Sequence, residues 1–180
     1  MNDQQSEYER LIAPIEDRMI RAVWRIVRDS NDADDALQEA LLTVWKRWSQ
    51  IQKHPNPHAL VLHICIHSAY NLLRQKARRL KCQDANAIPE EIPDTSASLI
   101  QGVSDREQSK QVLQAIGRLS KNQAQAILMR TVEEIPYADI ALAMDCREAT
   151  VRKHVARART RLRALLSHLI PTVQKEDVHA

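Results

Sequence analysis

Glycine is almost absent from this sequence of 180 residues; only Gly102 and Gly117 occur. A Walker loop, a dinucleotide-binding fingerprint and a nucleophile elbow each need glycine at fixed spacing, so all three are excluded. Phenylalanine is missing altogether, and three tryptophans and three tyrosines are the whole aromatic content. Large β-sandwiches and barrels draw on aromatic residues and turn glycines, so the shortage of both predicts an all-helical chain. The three cysteines, Cys65, Cys82 and Cys146, are widely spaced and form no Cys-x-x-Cys pair. Such usage fits a reduced, cytoplasmic protein and not a disulfide scaffold. No apolar run approaches the roughly 18 residues of a bilayer span, and the polar, acidic start is unlike a signal peptide, so no membrane insertion is expected.

What is present is 44% hydrophobic and 27% charged residues, enough apolar surface to build a core. The net charge of +3 conceals an alternation. Residues 1–39 carry five arginines against ten acids, net −5, and residues 40–81 carry eight Lys/Arg and no acid, net +8. Residues 82–116 then carry two basic and six acidic groups, net −4, and residues 117–180 eleven basic and seven acidic, net +4. Ordinary solvated helices mix charge signs to gain i,i+4 pairs. Two basic blocks around an acidic stretch therefore point to two polyanion-facing surfaces on one chain.

Periodicity places the helices. Residues 6–28 carry Ile12, Ile15, Met19, Val23 and Ile26 at helical spacing. Asp29-Ser30-Asn31-Asp32 supplies N-cap candidates for a helix over 33–48 with Leu37, Leu41, Val44 and Trp48 on one face. Residues 49–57 read as a loop, and Asn56 as N-cap with Pro57 at the first helical position starts a third helix that ends in Arg74, Lys76, Arg78, Arg79 and Lys81. Residues 82–103, with Pro89 and Pro93 and no periodicity, read as a flexible linker. Ser104-x-x-Glu107 and Ser120-x-x-Gln123 are capping-box patterns opening two more helices. A short helix from Pro136, a tight turn at Met144-Asp145-Cys146 and a basic helix over 147–169 complete the chain. The sequence thus predicts two small helical domains, 6–81 and 104–170, joined by the linker 82–103.

The last helix has a slim apolar seam, Val151, Val155, Ala158 and Leu162, and no acid between 149 and 175. Arg152, Arg159 and Arg163 flank the seam on one side, and Thr150, Arg157 and Arg161 on the other. A helix-turn-helix whose second helix combines such a seam with basic flanks suits a major groove, the seam holding it to its domain while the flanks reach phosphates and bases.

Three stretches carry a family resemblance. Asp32-Ala33-Asp34-Asp35-Ala36-Leu37-Gln38-Glu39 with Val44-Trp45-Lys46 is similar to a "D-A-E-D-x-x-Q-E…W-R" pattern; Pro57–Arg79 is similar to a promoter-melting helix; Ile140-Ala141…Thr150-Val151-Arg152…Arg157-Ala158-Arg159…Leu162 is similar to "E-I-A…T-V-x-S-R…R-A-R…L". In that order, with a linker between, the chain resembles the extracytoplasmic-function (ECF) sigma factors of the sigma-70 family. The resemblance implies a factor that directs core RNA polymerase to promoters, opens the -10 region and reads the -35 element. It places polymerase binding at Asp32, Asp35, Leu37, Gln38, Glu39, Leu41 and Trp45. It places -10 contacts at Lys53, His54, Asn56, His58, His63, His67, Asn71, Arg74, Arg78 and Arg79, with Tyr70 a stacking candidate that sits more naturally in the core. It places -35 contacts at Arg147, Thr150, Arg152, Lys153, His154, Arg157, Arg159 and Arg161. An anti-sigma partner is a further implication.

Departures from the pattern cluster in the melting helix: Leu60 stands for tryptophan, Ile66-His67 for arginine-asparagine and Asn71 for aspartate. Further on, Ser120 replaces a proline, Glu134 and Asp145 replace glycines, and His154 replaces an arginine. His63 and His67 have an i,i+4 spacing that suits a metal, but two ligands do not close a site and Cys65 lies about 200° away around the helix. No metal or other cofactor is expected. The histidines are expected to face DNA or solvent and to gain charge at mildly acidic pH. No catalytic constellation is visible, so no enzymatic activity is expected. The rival readings are a stand-alone helix-turn-helix regulator, which leaves Asp32–Trp45 without a role, and a sigma-like decoy that binds polymerase without opening promoters.

Overall fold

The computed structural model describes residues 3–84 and 100–169, with side chains for 6–79, 107–167 and Leu169. All regular structure among these residues is helical: α1 (Asp3–Leu11), α2 (Glu16–Val27), α3 (Ser30–Lys46), α4 (Trp48–Gln52), α5 (Pro57–Asp84), α6 (Ile100–Gly117), α7 (Lys121–Thr131), α8 (Tyr137–Ala143) and α9 (Glu148–Leu165). Single 3-10 turns occupy Ala13–Ile15 and Ser167–Leu169.

Local chemistry explains most boundaries. The continuous helix expected over 6–28 breaks at Pro14, which has no N–H to donate, and α2 restarts with Glu16 and Asp17 favouring its N-terminal dipole. Arg28 ends α2 in the left-handed region at φ 56°. Asp29 then caps α3, its carboxylate accepting from the Asp32 N–H at 3.1 Å. The loop expected over 49–57 is shortened by α4, because Trp48 and Ile51 have a core to enter. Asn56 caps α5 as expected, its side-chain oxygen accepting from the Ala59 N–H at 3.0 Å. Ser104 lies within α6, which already starts at Ile100, and does not open a helix. Ser120 holds the N-cap position of α7 without a side-chain bond. The assigned linker is shorter at both ends, α5 running to Asp84 and α6 starting at Ile100; its residues 85–99 lie outside the described residues.

Two groups of helices form. α2 and α3 pack on α5, and Met19, Val23, Ile26, Leu62 and Ile66 are all buried in the core there. α3 presents Ala33, Ala36 and Ala40, all buried, and side chains this small let two helices approach closely. α7, α8 and α9 form the second group around Ile127, Leu128, Ile140, Val151 and Val155. Full burial of each such aliphatic side chain stabilises by roughly 1.5–3 kcal/mol.

The two groups, the two helical domains expected from the sequence, pack against each other. One continuous core runs through both, because α5 also packs against α6, α7 and α8. Gly117 permits part of this contact: a Cβ there would lie 3.3 Å from Ala77 Cβ and 3.7 Å from the Leu73 carbonyl oxygen. Tyr70, wholly buried on α5, donates its hydroxyl to the Leu119 carbonyl at 2.7 Å, so it is a core residue and not a stacking platform. At the edge, Arg18 binds the nearly buried Glu133 through both side chain and backbone, at 2.7 and 2.6 Å. Arg25 donates to the Val132 carbonyl at 2.9 Å and stands 3.9 Å from Glu133.

Two expectations follow. Tyr70→Phe leaves the Leu119 carbonyl buried without its donor and is expected to cost about 1–3 kcal/mol of unfolding free energy in urea titrations; a change within about 0.5 kcal/mol, the usual range for an inconsequential substitution, would contradict that role. Arg18→Ala leaves a buried carboxylate with only the more distant Arg25, and a loss of about 1–3 kcal/mol is expected in the same measurement.

Candidate nucleic-acid and partner surfaces

The helix-turn-helix is α8 and α9. Val151, Val155 and Ala158 anchor α9 as the seam requires, with Leu162 half-buried. The turn places Asp145 at φ 49°, the left-handed conformation an aspartate tolerates better than most residues. Arg147, Arg152, Lys153, Arg157, Arg159 and Arg161 are exposed, as a DNA-facing row must be. Thr150 is half-buried, and so is His154, whose Nδ1 is buried with no partner among the described residues; its ring is therefore turned partly inward and not presented whole to DNA.

Arg152 is held in place before any ligand arrives. Its Nε and Nη2 donate to Glu148 Oε1 at 3.0 and 2.5 Å, and its guanidinium carbon sits 4.4 Å from the centroid of the Tyr137 ring. Arg130 lies 5.0 Å from the same ring. Restraint of this kind lowers the ordering cost of a base or phosphate contact. Between the start of α7 and the outer face of α9, Arg118, Ser120 and Gln123 join Arg157, Thr160 and Arg161 around a cleft with no acid in its lining. Sequence reasoning missed Arg118, Ser120 and Gln123 because only the packing of α7 on α9 brings them beside the basic row.

α3 carries a second surface. Asp34, Asp35, Gln38 and Glu39 are exposed on it, and Leu37 and Leu41 are half-buried. Leu42 and Trp45 are 60% and 55% exposed, a large apolar area for a free surface. Tyr8, Gln38, Leu41, Leu42 and Trp45 line a recess of about 370 Å³. Leu42 was not expected, since it lies off the apolar stripe. Asp32 differs from its neighbours: it pairs with Lys76 and ties α3 to α5, so it is a structural ion pair here and not an open polymerase-facing carboxylate.

The expected -10 residues are not gathered into one open face. Lys53, Asn71, Arg78 and Arg79 are exposed, while Arg74 and His58 are half-buried. Asn56 is occupied as the α5 cap, and His54 Nδ1 lies 2.8 Å from the Asn56 carbonyl while its Nε2 lies 3.3 Å from that of Leu142 in α8. His63 Nε2 meets Gln125 Oε1 of α7 at 3.2 Å, and His67 Nε2 lies 3.2 Å from Asn71 Nδ2. The second half thus covers His63 and touches His54, and the expectation that these rings face DNA or solvent fails in this arrangement.

Their protonation is affected accordingly. Burial lowers the pKa of His63, with Lys121 and Arg47 adding to the effect against the opposing bonds to Gln125 and the Ala143 backbone. Burial, followed by Lys121, His63 and Arg47, lowers that of His67 to about 4. The Cys65 thiol is buried and pushed up to about 12 by desolvation, so it is inert. Among the described residues no group of His, Cys, Asp and Glu could hold a metal ion, and no helix is long and apolar enough to cross a membrane.

Comparison with known proteins identifies the family. Residues 11–79 match the family model for sigma-70 region 2, and residues 109–162 the model for sigma-70, region 4. The chain is 25% identical over 169 residues to the RNA polymerase sigma-H factor of Pseudomonas aeruginosa, covering 91% of this chain and 88% of the relative. It is 26% identical over 162 residues to the ECF RNA polymerase sigma-E factor of Escherichia coli, covering 86% and 84% respectively. Its fold is similar to the sigma factor RpoE of Bartonella quintana, solved in complex with the anti-sigma factor NepR, with a TM-score of 0.51 at 22% identity over 93% of this chain and 98% of that one. With α2 to α5 in one region and α6 to α9 in the other, the chain belongs to the sigma-70 family. It is an RNA polymerase sigma factor of the ECF group, and a match covering 11–79 disfavours the stand-alone regulator.

Because the packed arrangement favours neutral His63 and His67, a proton binds more readily once the halves part. Closure is therefore fully supported above the ordinary histidine range and weakens as pH falls through about 6.5 towards 4. For His67 alone, a rise from 4 to its ordinary value on opening shifts the equilibrium by up to about tenfold at pH 5.5. Energy transfer between dyes on α3 and α9 is expected to fall between pH 8 and pH 5.5, and His67→Gln is expected to flatten the change.

Proposed function

We propose that the two regions act at the two ends of one promoter. The region over about 6–81 docks on core RNA polymerase through α3 and holds the opened -10 strand along the α4–α5 junction. The region over about 104–170 reads the duplex -35 element with α9. The observation that carries this reading is the pairing, on one chain, of a row of exposed arginines on α9, with no acid in that helix beyond Glu148, and the exposed Leu42/Trp45 patch on α3. The first suits a polyanion, the second a desolvated contact with another protein. The chain itself performs no bond chemistry; phosphoryl transfer belongs to the polymerase, and the site of action is the cytoplasm.

The packed arrangement supports a role for opening. With His63 and His54 engaged by α7 and α8, melting-strand contacts need the second region to move away, and tethering then makes the second DNA contact intramolecular. A protein antagonist of the kind bound to the Bartonella quintana sigma factor fits a chain that closes in this way.

Reconstituted transcription tests the reading. Core polymerase with this chain and fragmented genomic DNA is expected to give discrete starts sharing two upstream elements; polymerase binding without discrete starts would favour the decoy. Trp45→Ala is expected to weaken core binding by at least about 1 kcal/mol. Arg152→Ala is expected to cost about 1–3 kcal/mol at one base pair and relax preference there. Arg161→Ala is expected to weaken binding uniformly and lower the salt slope by about one.

A further inference from the structure

Tyr137, half-buried, opens α8 where the end of α7 and the start of α9 come close to it. A guanidinium from each neighbour lies against its ring, Arg130 of α7 at 5.0 Å and Arg152 of α9 at 4.4 Å from the centroid. Arg130 is anchored in turn, its Nη1 donating to the Ile135 carbonyl at 3.2 Å and reaching that of Glu134 at 3.5 Å. Arg152 is held from a second side, because Glu148 Oε1 accepts from both its Nε and its Nη2. Those two bonds use one edge of the guanidinium. The other edge, Nη1 with the second N–H of Nη2, makes no bond among the described residues, and the side chain is 61% exposed.

We propose that Tyr137 and Glu148 are positioning residues for Arg152: they hold its guanidinium with the Nη1–Nη2 edge free, and so fix a preference for guanine at one base pair of the duplex that α9 reads. Two parallel N–H donors match the O6 and N7 acceptors of guanine, whereas adenine sets a donor beside its N7. Arg152 stands in the second turn of α9, and the N-terminal part of a recognition helix is the part that reaches base edges. Its charge also separates it from the rest of the row. Among the described residues it is the one exposed cation of α9 that a carboxylate of the same helix balances. A neutral pair attracts a phosphate poorly, and the Glu148 carboxylate repels one. Hydrogen-bond geometry is then what the pair offers, and that geometry is kept only while the ring and the carboxylate restrain the long side chain. Without Tyr137 the guanidinium is free to swing to the backbone, so affinity survives and discrimination is lost. The base preference rests on the sigma-factor reading; the restraint does not.

Two measurements on the full chain test this. The first needs neither polymerase nor DNA. NMR relaxation follows the Arg152 Nε–Hε group, assigned by its absence in Arg152→Lys. Its order parameter is expected to drop from near the rigid value of about 0.85 to below about 0.6 in Tyr137→Leu. Tyr137→Phe, which keeps the ring, is expected to restore it. Glu148→Gln, at an exposed position where folding is not at stake, is expected to lower it as well. The second measurement uses holoenzyme on duplexes selected from a randomised pool and then varied one base pair at a time. Tyr137→Leu is expected to cut the preference for guanine about tenfold at the pair where Arg152→Ala acts. It is expected to leave the other pairs and the salt slope unchanged, and to add nothing to Arg152→Ala. Unchanged order of Arg152 in Tyr137→Leu would overturn the proposal. So would a loss spread over all base pairs, a preference for another base at that pair, or a Tyr137→Phe chain that behaves like Tyr137→Leu. A holoenzyme that selects no duplex at all fails the sigma-factor reading, while the order measurement still decides the positioning.

Discussion

Every helix group in this molecule depends on α5 burying more than one side. It is 28 residues long, about 42 Å at the usual helical rise. α2 and α3 cover it from one direction, α6, α7 and α8 from another. His63 and Tyr70, seven residues apart and so on one face, are two of the residues through which it meets the second half. The proposed hold on single-stranded DNA needs exposed polar contacts on α5, while an isolated helix of this length needs packing to be stable. The closed arrangement serves the second need at the expense of the first.

The polar groups at the seam between halves explain why the closure is specific. Arg18 and Arg25 reach from α2 to the turn that follows α7, where Glu133 is nearly buried and Glu134 takes a left-handed φ of 53°. A carboxylate so buried is costly without its arginines, so the contact tolerates little sliding. It is a better determinant of register than of stability, since replacing a buried ion pair by well-packed apolar groups is often neutral. The two histidines work in the opposite sense, as neutral groups that lose their reason to stay buried once protonated.

The surfaces left open in this arrangement are those that need no strand separation. The recess around Leu42 and Trp45 and the arginine row of α9 are accessible together. The helix to which the proposal gives the -10 strand, α5, is the covered one, and it is also where the chain departs most from the pattern of its family, with Leu60, Ile66, His67 and Asn71 in place of the usual residues. Ile66 is now explained, since it is wholly buried in the core. His67, standing where asparagine is usual, is half-buried in the same crowded region near Lys121, and nothing in the structure explains that replacement.

Helical class, the order of the longer helices apart from the break at Pro14, the Asp29 and Asn56 caps and the α9 seam were legible in the sequence because each depends on neighbours within one or two turns. The charge alternation was legible for the same reason, and it pointed to the exposed row on α9. Three things were not. The role of Asp32 and the hydroxyl partner of Tyr70, whose core position was expected, are set by Lys76 and Leu119, which lie 44 and 49 positions away in the chain. Leu42 is exposed because α3 turns its alanine stripe, and not its leucines, fully towards α5. The burial of His54 and His63 depends on how two helical groups dock, a choice made by the fit of Gly117 against Ala77 and of two arginines around Glu133. Periodicity records which side of a helix is apolar; only the tertiary structure decides what that side, and the polar groups at its edge, will meet.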